Sequence, residues 1–258
     1  PNGLHVVTAQ YGLGCYERWL SGEGEQWLHA AVAAARQLTD IQADDGSWTH
    51  RIDLPHTFPL RAPWRSAMAQ GEATSLLVRV FQETGETSFA SAARAALDPM
   101  SKPRADGGVC AQLDGDVWLE EYPTDPPSYV LNGAIFALWG LRDAAVGLRD
   151  DAAKDAFATS LSALAANLWR FDTGWWSLYS LYPHPVRNVA SSFYHDLHIN
   201  QLTAMQRLCP REEFQTTCAR WEQYSRSALN CRRAFAAKAG FRLLVPRKGR
   251  LTGRVIRR

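Results

Sequence analysis

Long apolar runs are missing from this sequence. No stretch approaches the roughly 20 uninterrupted apolar residues that a membrane-spanning helix requires, so no transmembrane segment is predicted. The first residues contain no basic region leading into an apolar one, so no signal peptide is expected here, and the absence of an initial methionine indicates a longer precursor. The compartment stays open, with the bacterial cytoplasm or cell envelope as the working hypothesis.

Cysteine is scarce and irregularly spaced. The five cysteines form an odd set with no Cys-x-x-Cys pair, which argues against a zinc site and against a disulfide framework. We therefore expect reduced structural thiols and no metal site.

Net charge is also nearly absent, since 28 basic residues face 26 acidic ones. The basic excess lies in the last seventeen residues, which begin at Arg242 and include Arg247. Such a run is typical of a solvated tail, with binding to a polyanion or a membrane surface as the alternative. The prediction is one folded domain over residues 1–240 and a basic, disordered tail over 241–258, with no nucleic-acid partner.

Apolar residues recur with helical spacing along nearly the whole chain. They predict helices over about 13–20, 27–38, 69–84, 88–97, 129–146, 152–169, 194–208 and 211–229. Two Gly-Trp loops, around Gly46 and Gly174, each lead into a short run with strand-like spacing. Repeated helical hairpins with such loops predict an all-α fold, an incomplete (α/α) toroid with short β-hairpin insertions.

The densest group of chemically useful side chains lies between residues 118 and 133. Three prolines exclude a regular helix between residues 123 and 127, and Ser128 is predicted to cap the helix that follows. Glu120, Glu121 and Tyr122 therefore lie in an irregular loop, and Asn132 lies in the first turn of the next helix. Loops on helical scaffolds often carry functional groups, but a surface loop with solvated acids is the alternative.

Two further segments carry candidate residues. In residues 179–202, His195 and His198 are three residues apart, which suits a core or a cleft wall better than a metal without a third ligand. In residues 62–72, small residues predict a helix that approaches its neighbour closely, and the alternative is a cleft wall built from Trp64 and Gln70.

Together these segments resemble the C-terminal catalytic domain of the D-glucuronyl C5-epimerases of heparan sulfate and heparosan biosynthesis, over roughly residues 55–230. No single motif carries the likeness, which depends on their shared order and spacing. The matching residues are Pro63-Trp64, Ser66 to Gly71, Glu120 to Thr124, Val130 to Gly133, Asp172 to Gly174, Tyr194-His195 and His198 to Leu202.

The resemblance implies an (α/α) barrel and a cofactor-independent isomerase that converts D-glucuronic acid to L-iduronic acid units in an acidic polysaccharide. Its catalytic residues correspond to Glu121, Tyr122, Tyr179 and Tyr194, and its substrate-contacting asparagine to Asn132. Trp64, Gln70, His195, His198 and Arg187 complete the expected substrate-binding set, and a homodimer is a further option. The C5 proton lies α to a carboxylate, so a base on one face and an acid on the other are required.

This sequence departs from the family at two places. The family has an aspartate and an arginine where Ser180 and Tyr182 stand, and a tyrosine cannot replace an arginine that grips a carboxylate. Arg187 or Arg65 is the expected substitute. Two alternatives stay open, namely a uronate polysaccharide lyase, which begins with the same proton abstraction, and a non-catalytic saccharide-binding module.

Overall fold

The computed structural model describes residues 4–247. Within that range the chain forms ten α-helices and four short strands. The helices are α1 (His5–Leu20), α2 (Glu25–Ile41), α3 (Ala67–Thr84), α4 (Thr87–Ala95), α5 (Leu97–Ser101), α6 (Leu131–Gly147), α7 (Asp151–Asn167), α8 (Ser192–Leu208), α9 (Glu212–Arg226) and α10 (Ala228–Leu244). The strands are β1 (Thr49–His50), β2 (Trp64–Arg65), β3 (Cys110–Leu113) and β4 (Asp116–Leu119).

Helical hairpins make up the fold, as the sequence predicts. Helix α1 packs on α2, α6 on α7 and α8 on α9, while α3 packs against both α1 and α6. The all-α assignment is confirmed, because the only sheets in residues 4–247 are two antiparallel pairs, β1–β2 and β3–β4. The first Gly-Trp loop leads into β1, with His50 opposite Trp64, whereas the second forms only isolated bridges such as Leu178 with Val189.

Glycines bring α3 and α6 into close contact at the centre of the molecule. A Cβ atom on Gly71 would lie 2.5 Å from the Cα atom of Ala137, and one on Gly140 would lie 2.4 Å from the Cα atom of Gly71. Side chains larger than hydrogen would push the helices apart. The close approach predicted from the small residues of this segment is therefore confirmed. It fixes the first turns of both helices beside each other, where the candidate site lies.

Helix termini follow ordinary capping chemistry where the sequence provides it. The Ser66 hydroxyl accepts a 3.3 Å hydrogen bond from the amide of Ala69 at the start of α3. At its end, Gly85 adopts a left-handed conformation with φ of 70°, which glycine reaches without a steric cost. The helix ends there, as predicted.

The C-terminal region differs from the prediction. The sequence predicts one helix over 211–229, but α9 ends at Arg226 and a second helix, α10, follows and ends at Leu244. The Ser227 hydroxyl caps α10 by accepting a hydrogen bond from the amide of Asn230. The boundary predicted at residue 240 thus falls inside α10, in which Phe241 is buried. The remainder of the predicted tail, residues 248–258, lies outside the described residues. Between residues 4 and 247, no helix is both long and apolar enough to cross a membrane.

Candidate active site

Glu120 fixes the irregular loop between β4 and α6. Its carboxylate accepts hydrogen bonds from the amide of Ser128 at 2.9 Å, the hydroxyl of Ser128 at 2.6 Å and the amide of Tyr129 at 2.8 Å. Ser128 does not cap α6, contrary to the prediction, because the helix begins at Leu131 and Ser128 lies two residues before its N-cap position. Val130 precedes the helix instead, and no side chain caps it. Glu120 is thus a structural carboxylate that positions its neighbour.

Glu121 points into the protein, where its environment favours a neutral carboxyl group. The residue is only 7% exposed, and its Oε2 atom has no hydrogen-bond partner in the part of the chain described. Burial is the main cause that raises the pKa of Glu121 to about 7, and the charge of Glu120 adds to it, while a hydrogen bond from Tyr122 opposes it. A carboxyl group with a pKa near neutrality can accept and return a proton.

Tyr122 links Glu121 to a second tyrosine. Its pKa is raised well above the usual value, chiefly by burial and then by the charge of Glu121, and its phenol also interacts with that of Tyr179. The ring packs 4.7 Å from that of His56 and 6.1 Å from that of Trp64. Tyr122 therefore connects the carboxylate with the next tyrosine.

Tyr179 and Tyr194 form an edge-to-face pair with ring centroids 4.7 Å apart. Both line a pocket of about 360 Å³. Burial and the charge of Glu121 raise the pKa of Tyr194, whereas a hydrogen bond with Tyr179 and the charges of Arg247 and Arg242 lower it. The structure thus brings all four predicted catalytic residues into one connected group.

The four residues are divided between two neighbouring cavities. Tyr179 and Tyr194 line the larger pocket, while Glu121 and Tyr122 line a smaller one of about 100 Å³ together with Trp64. His56, which lines the larger pocket, packs on the ring of Tyr122. The side chain of Tyr122 therefore lies between the two cavities.

Asn132 lies beside this group in the first turn of α6. It is 3% exposed, its side-chain Oδ1 atom is unpaired among the described residues, and its backbone carbonyl accepts a 3.1 Å hydrogen bond from Gln201. A buried polar atom without a partner is uncommon and suits a ligand contact. Its substrate-binding role stays a prediction.

Trp64 and Gln70 have different environments. Trp64 stacks on His50 with ring centroids 4.0 Å apart and lines the cavity of Glu121, so it stays a predicted wall residue. Gln70 is fully buried, where its side chain accepts from the amide of Trp48 and donates to the carbonyls of Gly46 and Ala96. These hydrogen bonds hold the first Gly-Trp loop, and a substrate contact of Gln70 stays a prediction.

His195 and His198 are core residues, and neither lines the pockets described above. Nδ1 of His195 accepts from the Ser177 amide at 3.2 Å, so Nε2 carries the proton that is donated to the Trp221 carbonyl at 3.1 Å. His195 also stacks on Trp176 at 3.8 Å. His198 is fully buried, and its Nδ1 atom lies 3.0 Å from the Ser177 hydroxyl, which also contacts His195. Both rings therefore serve the packing of α8, and their substrate contact stays a prediction.

The expected substitute arginines are not at the tyrosine pocket. Arg187 is exposed and lines a different groove with Trp175 and Arg233, and Arg65 pairs with Asp45 at 2.6 Å. Three other cations line the tyrosine pocket instead, namely Lys238, Arg242 and Arg247. Arg242 and Arg247 belong to the C-terminal basic run, which is predicted from its charge to be a solvated tail, whereas Lys238 precedes that run.

The two positions that depart from the family contact the same region. The Ser180 hydroxyl accepts a 3.0 Å hydrogen bond from Asn188, whose Oδ1 accepts from Lys238 at 2.8 Å. Tyr182 packs on Phe58 and His184, and His184 in turn packs on Phe241 of α10. Helix α10 therefore occupies the neighbourhood of both changes.

A further acid, Glu72, lies in the buried region near Glu121. Burial, with a contribution from the charge of Glu121, raises the pKa of Glu72 to about 8, against an opposing hydrogen bond from Gln10. The Gln10 amide donates to its Oε1 at 3.2 Å, and Oε2 is unpaired among the described residues. At neutral pH this carboxyl group is mostly protonated, so it adds little negative charge to the site.

Comparison with known proteins places this arrangement in a family. The family model for the D-glucuronyl C5-epimerase C-terminus matches residues 42–223. The chain is 31% identical over 219 residues to the D-glucuronyl C5-epimerase of Caenorhabditis elegans, which covers 78% of this chain and 36% of that protein. It is also 26% identical over 141 residues to an uncharacterized protein of Methanocaldococcus jannaschii, covering 53% of this chain and 46% of that one. The chain thus spans less than half the length of either curated relative.

The fold has a counterpart among solved structures. The chain titled "UGL_D88N/dGlcA-Glc-Rha-Glc" superposes with a TM-score of 0.54 at 14% identity, over 87% of this chain and 59% of that one. At this identity the likeness concerns the fold alone, and it agrees with the incomplete (α/α) toroid. From the family match over most of its length and the identity to the nematode protein, the chain belongs to the D-glucuronyl C5-epimerase C-terminus family.

Proposed function

We propose that this chain carries out C5-epimerisation of D-glucuronic acid units to L-iduronic acid units in an acidic polysaccharide, without a cofactor. The observation that carries the proposal is the buried Glu121 carboxylate, with an unpaired oxygen and a pKa near neutrality, joined through Tyr122 to Tyr179 and Tyr194. Family membership and the name of the nematode relative support it.

Epimerisation needs a base and an acid on opposite faces of C5. In the proposal Glu121 accepts the C5 proton, directly or through the phenol of Tyr122, and the electron pair moves into the uronate carboxylate. The Tyr194 phenol then delivers a proton to the other face. Tyr122, Tyr179 and Asn132 donate hydrogen bonds to the charge that develops, which is where such donors contribute most.

The tyrosines also offer a way to restore the starting state. After one turnover Glu121 holds an additional proton and Tyr194 lacks one. The side chains of Glu121, Tyr122, Tyr179 and Tyr194 interact electrostatically with one another, and in the proposal a proton returns to Tyr194 along this series. The charges of Arg242 and Arg247 stabilise the transient Tyr194 phenolate.

Exchange of the C5 proton in D2O tests the proposal directly. Heparosan is incubated with wild type, Glu121→Gln and Tyr194→Phe, and C5 of glucuronate is followed by NMR. We expect exchange without chain cleavage in the wild type and a loss of at least 100-fold in both variants. Tyr224→Phe, which removes a hydroxyl that donates to Asp172 at 3.3 Å, serves as the control and should retain exchange.

The same experiment separates the alternatives. Unsaturated uronate ends, detected by their absorbance, would indicate a lyase. Saccharide binding with no exchange on any uronate polymer by the folded wild type would indicate a non-catalytic binding module and contradict the epimerase proposal.

A further inference from the structure

Helix α10 presents a row of positive charge to the tyrosine pocket. Lys238 and Arg242 are four residues apart, so they lie on one face of the helix, and Arg247 follows just beyond its end. All three line the pocket together with Tyr179 and Tyr194. The helix begins at residue 228, after the matched family region ends at residue 223. This charged wall therefore lies outside the region that the family model matches.

Lys238 is held in place by neutral groups. Its ammonium nitrogen donates to Asn188 Oδ1 at 2.8 Å and lies 5.5 Å from the ring centre of Tyr179 and 5.1 Å from that of Phe241. Asn188 is itself buried, and its side-chain amide donates a hydrogen bond to the Ser180 hydroxyl. Its backbone carbonyl accepts a 2.8 Å hydrogen bond from the Tyr179 amide. The amine is thus positioned beside a predicted catalytic tyrosine with two of its three N–H donors unassigned.

The cations lack acidic partners in the described range. Within residues 4–247, none of Lys238, Arg242 and Arg247 belongs to an ion pair. Burial and the repulsion of Arg242 and Arg247 lower the pKa of Lys238 to about 8. A bound anion would relieve that repulsion, and a concave site with charge of one sign concentrates ligands of the opposite sign.

We propose that Lys238, assisted by Arg242, binds the carboxylate of the uronic acid in the tyrosine pocket and selects uronates over neutral sugars. This inference rests on the proposed function for the identity of the ligand. The two free N–H groups of Lys238 bind the carboxylate oxygens, which orients C5 toward Tyr179 and Tyr194. Arg242, an exposed residue one turn along the helix, adds charge to the same wall.

Binding to matched probes tests the assignment. Calorimetry compares a heparosan oligosaccharide with the same oligosaccharide after its carboxyl groups have been reduced to alcohols. We expect wild type to bind the acid at least about tenfold more tightly, a preference that weakens with added salt. Lys238→Met should lose about tenfold or more in affinity for the acid and none for the reduced probe. Lys238→Arg should retain most of the preference, and Arg242→Gln should lose part of it.

Arg233→Gln is the matched control, because Arg233 lies on the same helix but stacks on Trp175 in a different groove. It should bind both probes as the wild type does. If Lys238→Met does not fold, Arg242→Gln makes the same comparison at an exposed position.

The outcomes separate this inference from the proposed function. The carboxylate-binding role of the charged wall is contradicted if Lys238→Met and Arg242→Gln both bind the acidic oligosaccharide within twofold of wild type. It is also contradicted if wild type does not prefer the acidic probe. Either result would count against this inference even where C5 exchange is observed. If wild type prefers the acid through Lys238 but catalyses no exchange, the carboxylate site stands and the epimerase proposal fails.

Discussion

The carboxylate of Glu121 packs directly against the backbone of Gly133 in the first turn of α6. A Cβ atom on Gly133 would lie 2.4 Å from Oε2 and 2.5 Å from the Cβ atom of Glu121. The second contact involves the stem of the side chain, which cannot rotate away as its end can. The absence of a side chain at residue 133 therefore sets the position of the proposed base.

Gly133→Ala should displace Glu121 and impair catalysis. A shift of about 1 Å in a catalytic group is expected to lower the rate on the order of 100-fold, and overpacking should lower the free energy of unfolding by about 1–3 kcal/mol. C5 exchange and urea unfolding measure the two effects. Gly14→Ala is the control, because a Cβ atom there meets nothing within 4 Å and an alanine in α1 should be slightly stabilising. Wild-type exchange by Gly133→Ala would contradict the arrangement.

The rate of C5 exchange should rise with pH on its acid side. Glu121 must be ionised to accept a proton, and burial raises its pKa to about 7 from the ordinary value of 4.5. The neutral form therefore persists up to near neutrality, and kcat/KM should increase about tenfold per pH unit below that value before it levels off. A kcat/KM profile checks this. An acid limb with a midpoint near 4.5 would show that Glu121 is not the base or is not buried in the active protein.

Glu72 should make the fold less stable as pH rises. Its folded pKa of about 8 lies above the ordinary value of 4.5, so the neutral group favours folding at low pH and this contribution is lost as pH rises through the folded pKa. Glu72→Gln keeps an oxygen for Gln10 and removes the titration. It should be more stable than wild type above about pH 8, by on the order of 5 kcal/mol for a pKa that rises from 4.5 to about 8.

Urea unfolding of wild type and Glu72→Gln at about pH 6 and about pH 9 measures this difference. Glu17→Gln, at an exposed position of α1, should show the wild-type pH dependence. Equal pH dependence in Glu72→Gln and wild type would mean that Glu72 is solvated or ionised in the folded protein.

Ser128→Ala should loosen the loop that carries Glu121. The Glu120 carboxylate would lose its 2.6 Å bond from the hydroxyl and keep only the two backbone amides. We expect a loss of about 1–3 kcal/mol in the free energy of unfolding, because a buried carboxyl acceptor loses one of three hydrogen-bond partners. Thermal or urea unfolding measures it. Ser101→Ala, whose exposed hydroxyl donates only to the Asp98 carbonyl, should change stability by less than about 0.5 kcal/mol, and an equal loss there would contradict this role for Ser128.

The sequence by itself determined the helical hairpins, the irregular loop with its acids and the small-residue contact of α3. Each of these depends on local information: apolar spacing, the backbone restrictions of proline and the missing side chain of Gly71. The family resemblance also follows from residue order alone. The four catalytic candidates were therefore identified from the sequence, and their meeting around Tyr122 agrees with that choice.

Only the tertiary structure decided which polar groups face a cavity. Gln70 and His195 resemble site residues in sequence, but their hydrogen bonds are made to distant backbone groups that no local pattern reveals. Ser128 bonds to Glu120 rather than capping α6 for the same reason. Lys238 lies in a charge-rich helix with few buried residues, which the sequence does not distinguish from a solvated segment. Its position beside Tyr179 depends on how α10 packs across Asn188 and Phe241, a contact between parts of the chain some 50 residues apart.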